Sequence, residues 1–374
     1  MHKRILLTAG GTGGHIYPLL AVADKLLQIG EGHFDLEYIG PPNQFYDEFE
    51  KREIKTHLIT PAKLRRYFSL KNIIDIPKFI WSIFEAIIKM YFIMPDIVFS
   101  KGGPGSFPTV LAARIYFIPV IIHESDSIPS LNSRFSAKFA NRIAISFRKT
   151  FDYFPKEKTF LSGNPIREEL LQNWMEKTRA KRYLKFNPEI PLILILGGSQ
   201  GSQRINEFVI DHLDKIIPEF QIYHQLGAAN IEKMRKQIDF SLKDMPSGQK
   251  DMYHYAGFLK PKDLKYTMNA ADIILSRAGA GAISEISTFG KPAILVPLEE
   301  SANSHQEVNA YEYAGNGGAI VIKEGNLGIA ILINQIKKIV NDQEKMEKMS
   351  QAAKSFTRPD ADDIIVREIL NFLR

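Results

Sequence analysis

The stretch Ile5–Ala23, ILLTAGGTGGHIYPLLAVA, constrains this chain more than any other. Ile5-Leu6-Leu7 is a short apolar run of the kind a buried parallel strand needs. Gly10, Gly11, Gly13 and Gly14 follow, and apolar residues then recur at helical spacing at Leu19, Leu20, Val22, Ala23, Leu26 and Leu27. Glycines at such a junction allow positive φ and let a ligand approach the backbone closely. The helix after them aims its free N–H groups and positive dipole end at the same spot, which suits a phosphate or an oxyanion. His15 stands where that helix begins, within reach of whatever the loop holds. The competing reading is a tight strand-to-helix turn with an exposed histidine, and this stretch alone leaves both open.

Strand and helix patterns alternate along the rest of the chain. Phe34–Ile39, Ile97–Ser100, Pro119–His123, Arg142–Ser146 and Thr159–Leu161 read as strands with helical stretches between them. Such alternation argues for a parallel sheet covered on both faces. After Gly163-Asn164-Pro165 the pattern restarts with the apolar strand Ile190–Leu196, the turn Gly197-Gly198-Ser199-Gln200-Gly201-Ser202 and a helix from Asn206. Gln221–Gln225, Ile273–Leu275 and Ala293–Val296 continue the series. Two such openings imply an α/β chain of two Rossmann-like, doubly wound domains, and 374 residues suffice for two cores. The boundary is expected near Asn164–Lys177, dividing the chain into 1–165, 166–345 and a C-terminal helical segment 346–374. Asp360–Arg374 reads as a helix capped at Asp360 or Asp362.

Composition serves mainly to exclude. The absence of cysteine rules out disulfides and thiolate metal sites and fits a reducing compartment. Met1-His2-Lys3-Arg4 leads directly into the first strand, so no signal peptide is expected. A net charge of +6 favours anionic partners, but no basic run interleaved with aromatics points to nucleic acid. Phe79–Phe92, FIWSIFEAIIKMYF, follows Lys63, Arg65, Arg66, Lys71 and Lys78. It is too short, and too interrupted by Glu85 and Lys89, to span a bilayer. Either it lies on an anionic membrane surface, or it is a buried helix covering the sheet with solvated basic residues beside it.

In open α/β sheets ligands bind beyond the carboxyl ends of the strands, so the strand-end loops carry the candidate chemistry. Ser100–Phe107, SKGGPGSF, again permits close backbone approach. His123-Glu124-Ser125-Asp126 offers an imidazole and two carboxylates, and a carboxylate such as Glu124 beside a histidine orients it or raises its basicity. Helix capping by Ser125 or Asp126 is the alternative there. Gly197–Ser202 supplies backbone donors at a helix start but is neither a Walker loop nor a clean dinucleotide fingerprint. In Ser276–Glu285, small residues at a helix N-terminus make a phosphate seat, and Glu285 suits a ribose diol unless it merely compensates the helix dipole. Ser304-His305-Gln306-Glu307 is rich in groups that hydrogen-bond a sugar. No metal is expected: the Asp360-Ala361-Asp362 pair is better explained by capping.

GGTGGHIYP (Gly10–Pro18), GGPGSFP (Gly102–Pro108), HESD (His123–Asp126), GNPIR (Gly163–Arg167), GGSQGS (Gly197–Ser202), RAGAGAISE (Arg277–Glu285) and HQEVNA (His305–Ala310) stand in this order along the chain. Together they resemble the MurG-type glycosyltransferases, which move N-acetylglucosamine from its UDP donor onto lipid I to give lipid II. The resemblance implies a GT-B fold: two facing Rossmann-like domains with a cleft between them and a C-terminal helix returning to the first. It implies an inverting transfer with no cofactor, a lipid-linked acceptor, an anionic membrane surface as partner and a peripheral position on the cytoplasmic face of the plasma membrane.

Roles follow from the same resemblance. Arg167 would face the UDP diphosphate and Ser199 would bond a phosphate. The backbone at Leu259 would read the uracil, and Ala280, Gly281, Ala282, Ile283, Ser284 and Glu285 would hold phosphate and ribose. Gln306 would contact the sugar hydroxyls. Thr12, Gly13 and Gly14 would line the acceptor side, with His15, near neutral pKa, as general base. The chain departs from the pattern at Asp126, where many relatives carry Asn, so the sugar contact there is open. It also has Pro104 where an aromatic is common, and Gly281-Ala282 replaces a bulkier pair bearing a hydroxyl, shifting phosphate binding toward backbone N–H groups. Two further readings remain: a GT-B transferase for another acceptor or a UDP-sugar epimerase, and a nucleotide-sugar-binding subunit without catalysis.

Overall fold

The computed structural model describes residues 2–30, 32–61, 71–198 and 201–373. The chain divides into two compact units, Met1–Arg167 with Pro359–Arg374, and Glu168–Arg358. In the first, β1 (Lys3–Thr8), β2 (Phe34–Gly40), β3 (Lys55–Leu58), β4 (Ile97–Ser100), β5 (Val120–Glu124), β6 (Arg142–Ile145) and β7 (Thr159–Leu161) form one sheet. Its order is β3-β2-β1-β4-β5-β6-β7 and every pairing is parallel. Ile5, Leu7, Phe99 and Ile121 enter one buried cluster with Leu19, Val22 and Leu26 of the helix Gly13–Gly30. Leu6, Val98, Val120 and Ile122 enter the other, with Ala86, Met90 and Val110. Successive residues serve opposite faces, so a strand covered on both sides is apolar throughout.

The second unit repeats the plan. β8 (Leu192–Leu196), β9 (Gln221–Gln225), β10 (Tyr253–Ala256), β11 (Ile273–Ser276), β12 (Ala293–Leu295) and β13 (Ala319–Val321) form a parallel sheet of order β10-β9-β8-β11-β12-β13. The doubly wound α/β class expected from the alternation is what the chain adopts. In each sheet the order reverses beside the first strand, between β1 and β4 and between β8 and β11. A crevice at the carboxyl ends of those strands is where such sheets take ligands.

The segment 346–374 does not act as one piece. The helix Gln343–Phe356 stays with the second unit, where Met349 joins the core cluster. Only the stretch from Pro359 returns, and Ile365, Val366 and Ile369 of the helix Ala361–Leu373 are fully buried against the cluster of Ile5 and Leu7. Each such burial is worth about 1.5–3 kcal/mol. Lys25 to Asp363 at 2.8 Å and Arg142 to Glu368 at 3.2 Å fix its orientation. Asp360 directly precedes this helix, whereas Asp362 lies inside its first turn.

Candidate active site

In the first unit two carboxyl-end loops are stitched together by their backbones. Lys101 N donates to Thr8 O at 2.9 Å and Gly10 N to Gly102 O at 2.7 Å, joining the loops after β1 and β4. Gly103 has φ +88°, and a Cβ there would stand 2.8 Å from Gly10 Cα and 3.2 Å from His15 Cε1. Only glycine lets these loops approach so closely. His15 is half-buried over that contact. Its Nδ1 lies 2.8 Å from Thr12 Oγ1, so with Nδ1–H donating to that hydroxyl, Nε2 keeps the lone pair. Burial, then the charge of Lys101, lower its pKa to about 3. The near-neutral value expected from sequence is therefore corrected: the ring is neutral, and desolvation is the reason.

The residue that orients His15 is Thr12, not Glu124. Glu124 accepts from Asp126 N at 3.0 Å, from Ser130 N at 3.1 Å and from Ser133, so its carboxylate shapes its own loop. Burial and the charge of Asp126 raise its pKa. Neither Ser125 nor Asp126 caps a helix; Ser130 does, accepting from Ser133 N at the start of Leu131–Ser136. Asp126 is half-buried, with its carbonyl accepting from Thr150 Oγ1 at 3.0 Å. Thr12 and Gly14 are exposed and Gly13 is buried, so this turn presents the Thr12 hydroxyl and backbone. Arg167, the last residue before the second unit, places its guanidinium 4.3 Å from the ring centre of Tyr17, on the helix that carries His15. Sequence reasoning passed over Lys101. A single lysine at a strand end gives no pattern, yet it is 1 % exposed.

In the second unit the helix Ala280–Thr288 starts after Gly279, with no side chain capping it. The N–H groups of Ala280, Gly281 and Ala282 in its first turn are therefore the donors this terminus offers an anion. Two of the expected contacts are corrected. Ile283 is fully buried and its N–H donates to Gly279 O at 3.0 Å, while the Ser284 hydroxyl donates to Ala280 O at 2.9 Å. Both serve the helix itself. Glu285, half-buried, follows one turn in. The Leu259 side chain is buried, which leaves its backbone for a ligand. Gln306 uses its amide oxygen to accept from Leu298 N at 3.1 Å, so its amide nitrogen is the donor available to a sugar. Ser199 lies outside the described residues. Gly201, φ +76°, shows how tight this loop is: a Cβ would meet Leu226 O at 2.0 Å. Arg277, buried at the end of β11, donates to Ser202 Oγ at 2.9 Å and pairs with Glu324, which also pairs with Arg204.

The helix Lys71–Ile93 turns its larger apolar side chains outward. Ile80, Trp81, Phe84, Ile88, Tyr91 and Phe92 are exposed, whereas Ser82, Ala86 and Met90 are buried. The helix thus covers the sheet with one face, through Ala86, Met90 and Ile93, and exposes the bulkier apolar side chains of the other. Phe117, 83 % exposed with Arg114 5.6 Å from its ring centre, and Phe135, with Lys138 at 5.5 Å, add aromatic surface and charge on the same unit. Lys63, Arg65 and Arg66 lie outside the described residues. Among the described residues no helix is long and apolar enough to cross a membrane, and no three His, Asp or Glu gather as a metal-holding group.

Comparison with known proteins gives the following. Residues 5–145 match the glycosyltransferase family 28 N-terminal domain and residues 192–365 the family 28 C-terminal domain. A Clostridium tetani protein is 36% identical over 352 residues, 93% of each chain, and is named UDP-N-acetylglucosamine–N-acetylmuramyl-(pentapeptide) pyrophosphoryl-undecaprenol N-acetylglucosamine transferase. A Bacillus cereus protein of the same name, numbered 2, is 33% identical over 98% of this chain and 99% of its own. The crystal structure of Acinetobacter baumannii MurG superposes with a TM-score of 0.73 at 25% identity, covering 99% of both chains. A UDP-GlcNAc 2-epimerase from Neisseria meningitidis, at 18% identity and TM-score 0.69 over 98% of this chain and 100% of its own, shares the fold.

Proposed function

The chain belongs to glycosyltransferase family 28, and we propose that it transfers N-acetylglucosamine from UDP-N-acetylglucosamine to lipid I, giving lipid II for peptidoglycan. Lipid I is N-acetylmuramoyl-pentapeptide on undecaprenyl pyrophosphate, and the reacting group is its C4 hydroxyl. The observation that carries the reading is the pair of switch-point loops. One bears a neutral, oriented imidazole, and the other an uncapped helix terminus followed by a carboxylate.

The second unit holds the donor. The first-turn N–H groups of Ala280, Gly281 and Ala282, with Ser199, meet the diphosphate; Glu285 accepts from the ribose hydroxyls; the Leu259 backbone reads the uracil; Gln306 donates to the sugar. The first unit holds the acceptor along Thr12, Gly13, Gly14 and Asp126. The C4 oxygen attacks the anomeric carbon, the bond to UDP breaks with inversion, and His15 Nε2 takes the hydroxyl proton. A base of low proton affinity is matched to this task only while charge is developing. Arg167 and the helix terminus stabilise the leaving diphosphate.

Radiolabelled UDP-N-acetylglucosamine with purified lipid I tests this directly: label is expected in the lipid fraction, and UDP release without transfer overturns the reading. Glu285→Gln is expected to raise KM for the donor roughly tenfold, with kcat changed less, because a lost charged hydrogen bond is worth about 1.5–3 kcal/mol. An unchanged KM removes Glu285 from the ribose.

The outward apolar face of Lys71–Ile93 and its basic neighbours dock the enzyme on the anionic, cytoplasmic leaflet where the lipid acceptor lies. Trp81→Glu combined with Phe84→Glu is expected to cut binding to vesicles of mixed anionic and neutral phospholipid at least about tenfold, since each aromatic loses about 1.5–3 kcal/mol of burial. UDP binding should be unchanged. Vesicle binding equal to the parent protein would exclude this face.

A further inference from the structure

We propose that Lys101 is a positioning residue for the acceptor-side loops, its ammonium both tying the loop after β4 to the loop after β5 and keeping the His15 imidazole neutral. The proposal rests on the assignment of His15 as proton acceptor. Lys101 directly follows β4 and is 1 % exposed. Its backbone N–H holds the end of β1 through Thr8 O at 2.9 Å, and its ammonium donates to Ser125 Oγ after β5. One residue thus ties the ends of β1, β4 and β5 together, and Gly103, two residues on, packs beside His15. An ammonium in such a place is costly to bury, and an unbranched apolar side chain would fill the space without that cost.

The charges around it give it a purpose. Burial lowers the Lys101 pKa to about 8, while the carboxylates of Glu124 and Asp126 oppose the fall, so it is mostly protonated at neutral pH. The titratable groups in this cluster are His15, Lys101, His123, Glu124 and Asp126, and Arg167 stands over Tyr17 on the His15 helix. The charge of Lys101 disfavours a proton on His15 and on His123, second only to burial, and a cationic imidazole could not accept one. Thr12 at Nδ1 then leaves Nε2 as the accepting atom.

The test reads His15 itself. Histidine ring resonances of isotope-labelled protein are followed from pH 4 to pH 8 in the parent, Lys101→Met and Lys101→Gln, with His15→Gln assigning the signal. The parent His15 is expected to stay neutral to the acid end. In either variant its titration should move up by about one pH unit, the order expected on removing a unit charge about 10 Å away at an effective dielectric near 20. The acid limb of kcat/KM with lipid I should move the same way, whereas a purely structural lysine would lower kcat/KM equally at every pH. If Lys101→Met does not fold, Lys101→Gln keeps the bond to Ser125 without the charge. A folded variant whose His15 titrates as in the parent overturns the proposal. Full turnover by His15→Ala would instead remove His15 as the base while leaving the resonance shift to report on Lys101 alone.

Discussion

Replacing His15 with alanine is expected to lower kcat roughly 10²–10⁴-fold, the usual contribution of a positioned general base. KM for UDP-N-acetylglucosamine should change little, because the donor groups other than Arg167 belong to the other unit. Several groups are arranged to place this one ring. Thr12 fixes Nδ1 at 2.8 Å, the Gly103 backbone leaves room at Cε1, and Lys101 and burial hold the ring neutral. A solvated histidine would need none of this. The measurement is single-turnover transfer from radiolabelled donor to lipid I, alongside calorimetric binding of UDP. Turnover within about twofold of the parent would put the proton elsewhere, with water the simplest acceptor. Gly103→Ala provides an independent check, since its Cβ would push on Gly10 and His15 together. It should lower turnover without touching a reacting atom.

How much of this could be read before the structure depends on where each residue sits in a sheet. The central strands β1, β4, β5, β8 and β11 are covered on both faces, so Ile5-Leu6-Leu7 and the LILIL of β8 announce themselves as apolar runs. The strands missing from the sequence reading, β3, β10 and β13, are all edge strands. The KTHL of β3 has no fully buried residue, because half its surface faces water. The candidate loops were legible for a backbone reason: glycines and small residues mark turns at strand ends. Which side chains meet within those loops was not legible. Thr12 rather than Glu124 at His15, and Ser130 rather than Ser125 or Asp126 as the cap, are set by turn geometry that residue types do not encode. Lys101 is the sharpest case. Lysine reads as solvated, and only the register of β1, β4 and β5 shows it buried, with the charges of two carboxylates acting on it.

Asp272→Ala is expected to destabilise the second unit by about 3–5 kcal/mol, the cost of leaving a buried charge without its partner. Asp272 stands just before β11, at the end of the sheet away from the candidate site. Its carboxylate meets Lys181 at 2.6 Å and Lys177 at 2.9 Å and accepts from Leu192 N at 2.8 Å, at the start of β8. Lys181 is 2 % exposed, and without Asp272 only the carbonyls of Pro188 and Ile190 would remain to it among the described residues. Lys291, whose pKa burial lowers to about 8, also loses a favourable charge. Burial opposes the charged form of Asp272 itself, but the hydrogen bond and charge of Lys181 lead the contacts that bring its pKa below 3.8. A depressed carboxylate pKa contributes stability above the unfolded value, and that contribution is lost as pH falls through the folded one. The gap between parent and Asp272→Ala should therefore be full at pH 7 and narrow below about pH 4. Trp174, stacked on Phe289 at 5.0 Å within this unit, reports its unfolding in urea once Trp81 is replaced by phenylalanine. A variant that matches the parent's urea midpoint at pH 7 would mean that the Asp272 charge adds no net stability and that its carboxylate does no more than accept from Leu192 N at the start of β8.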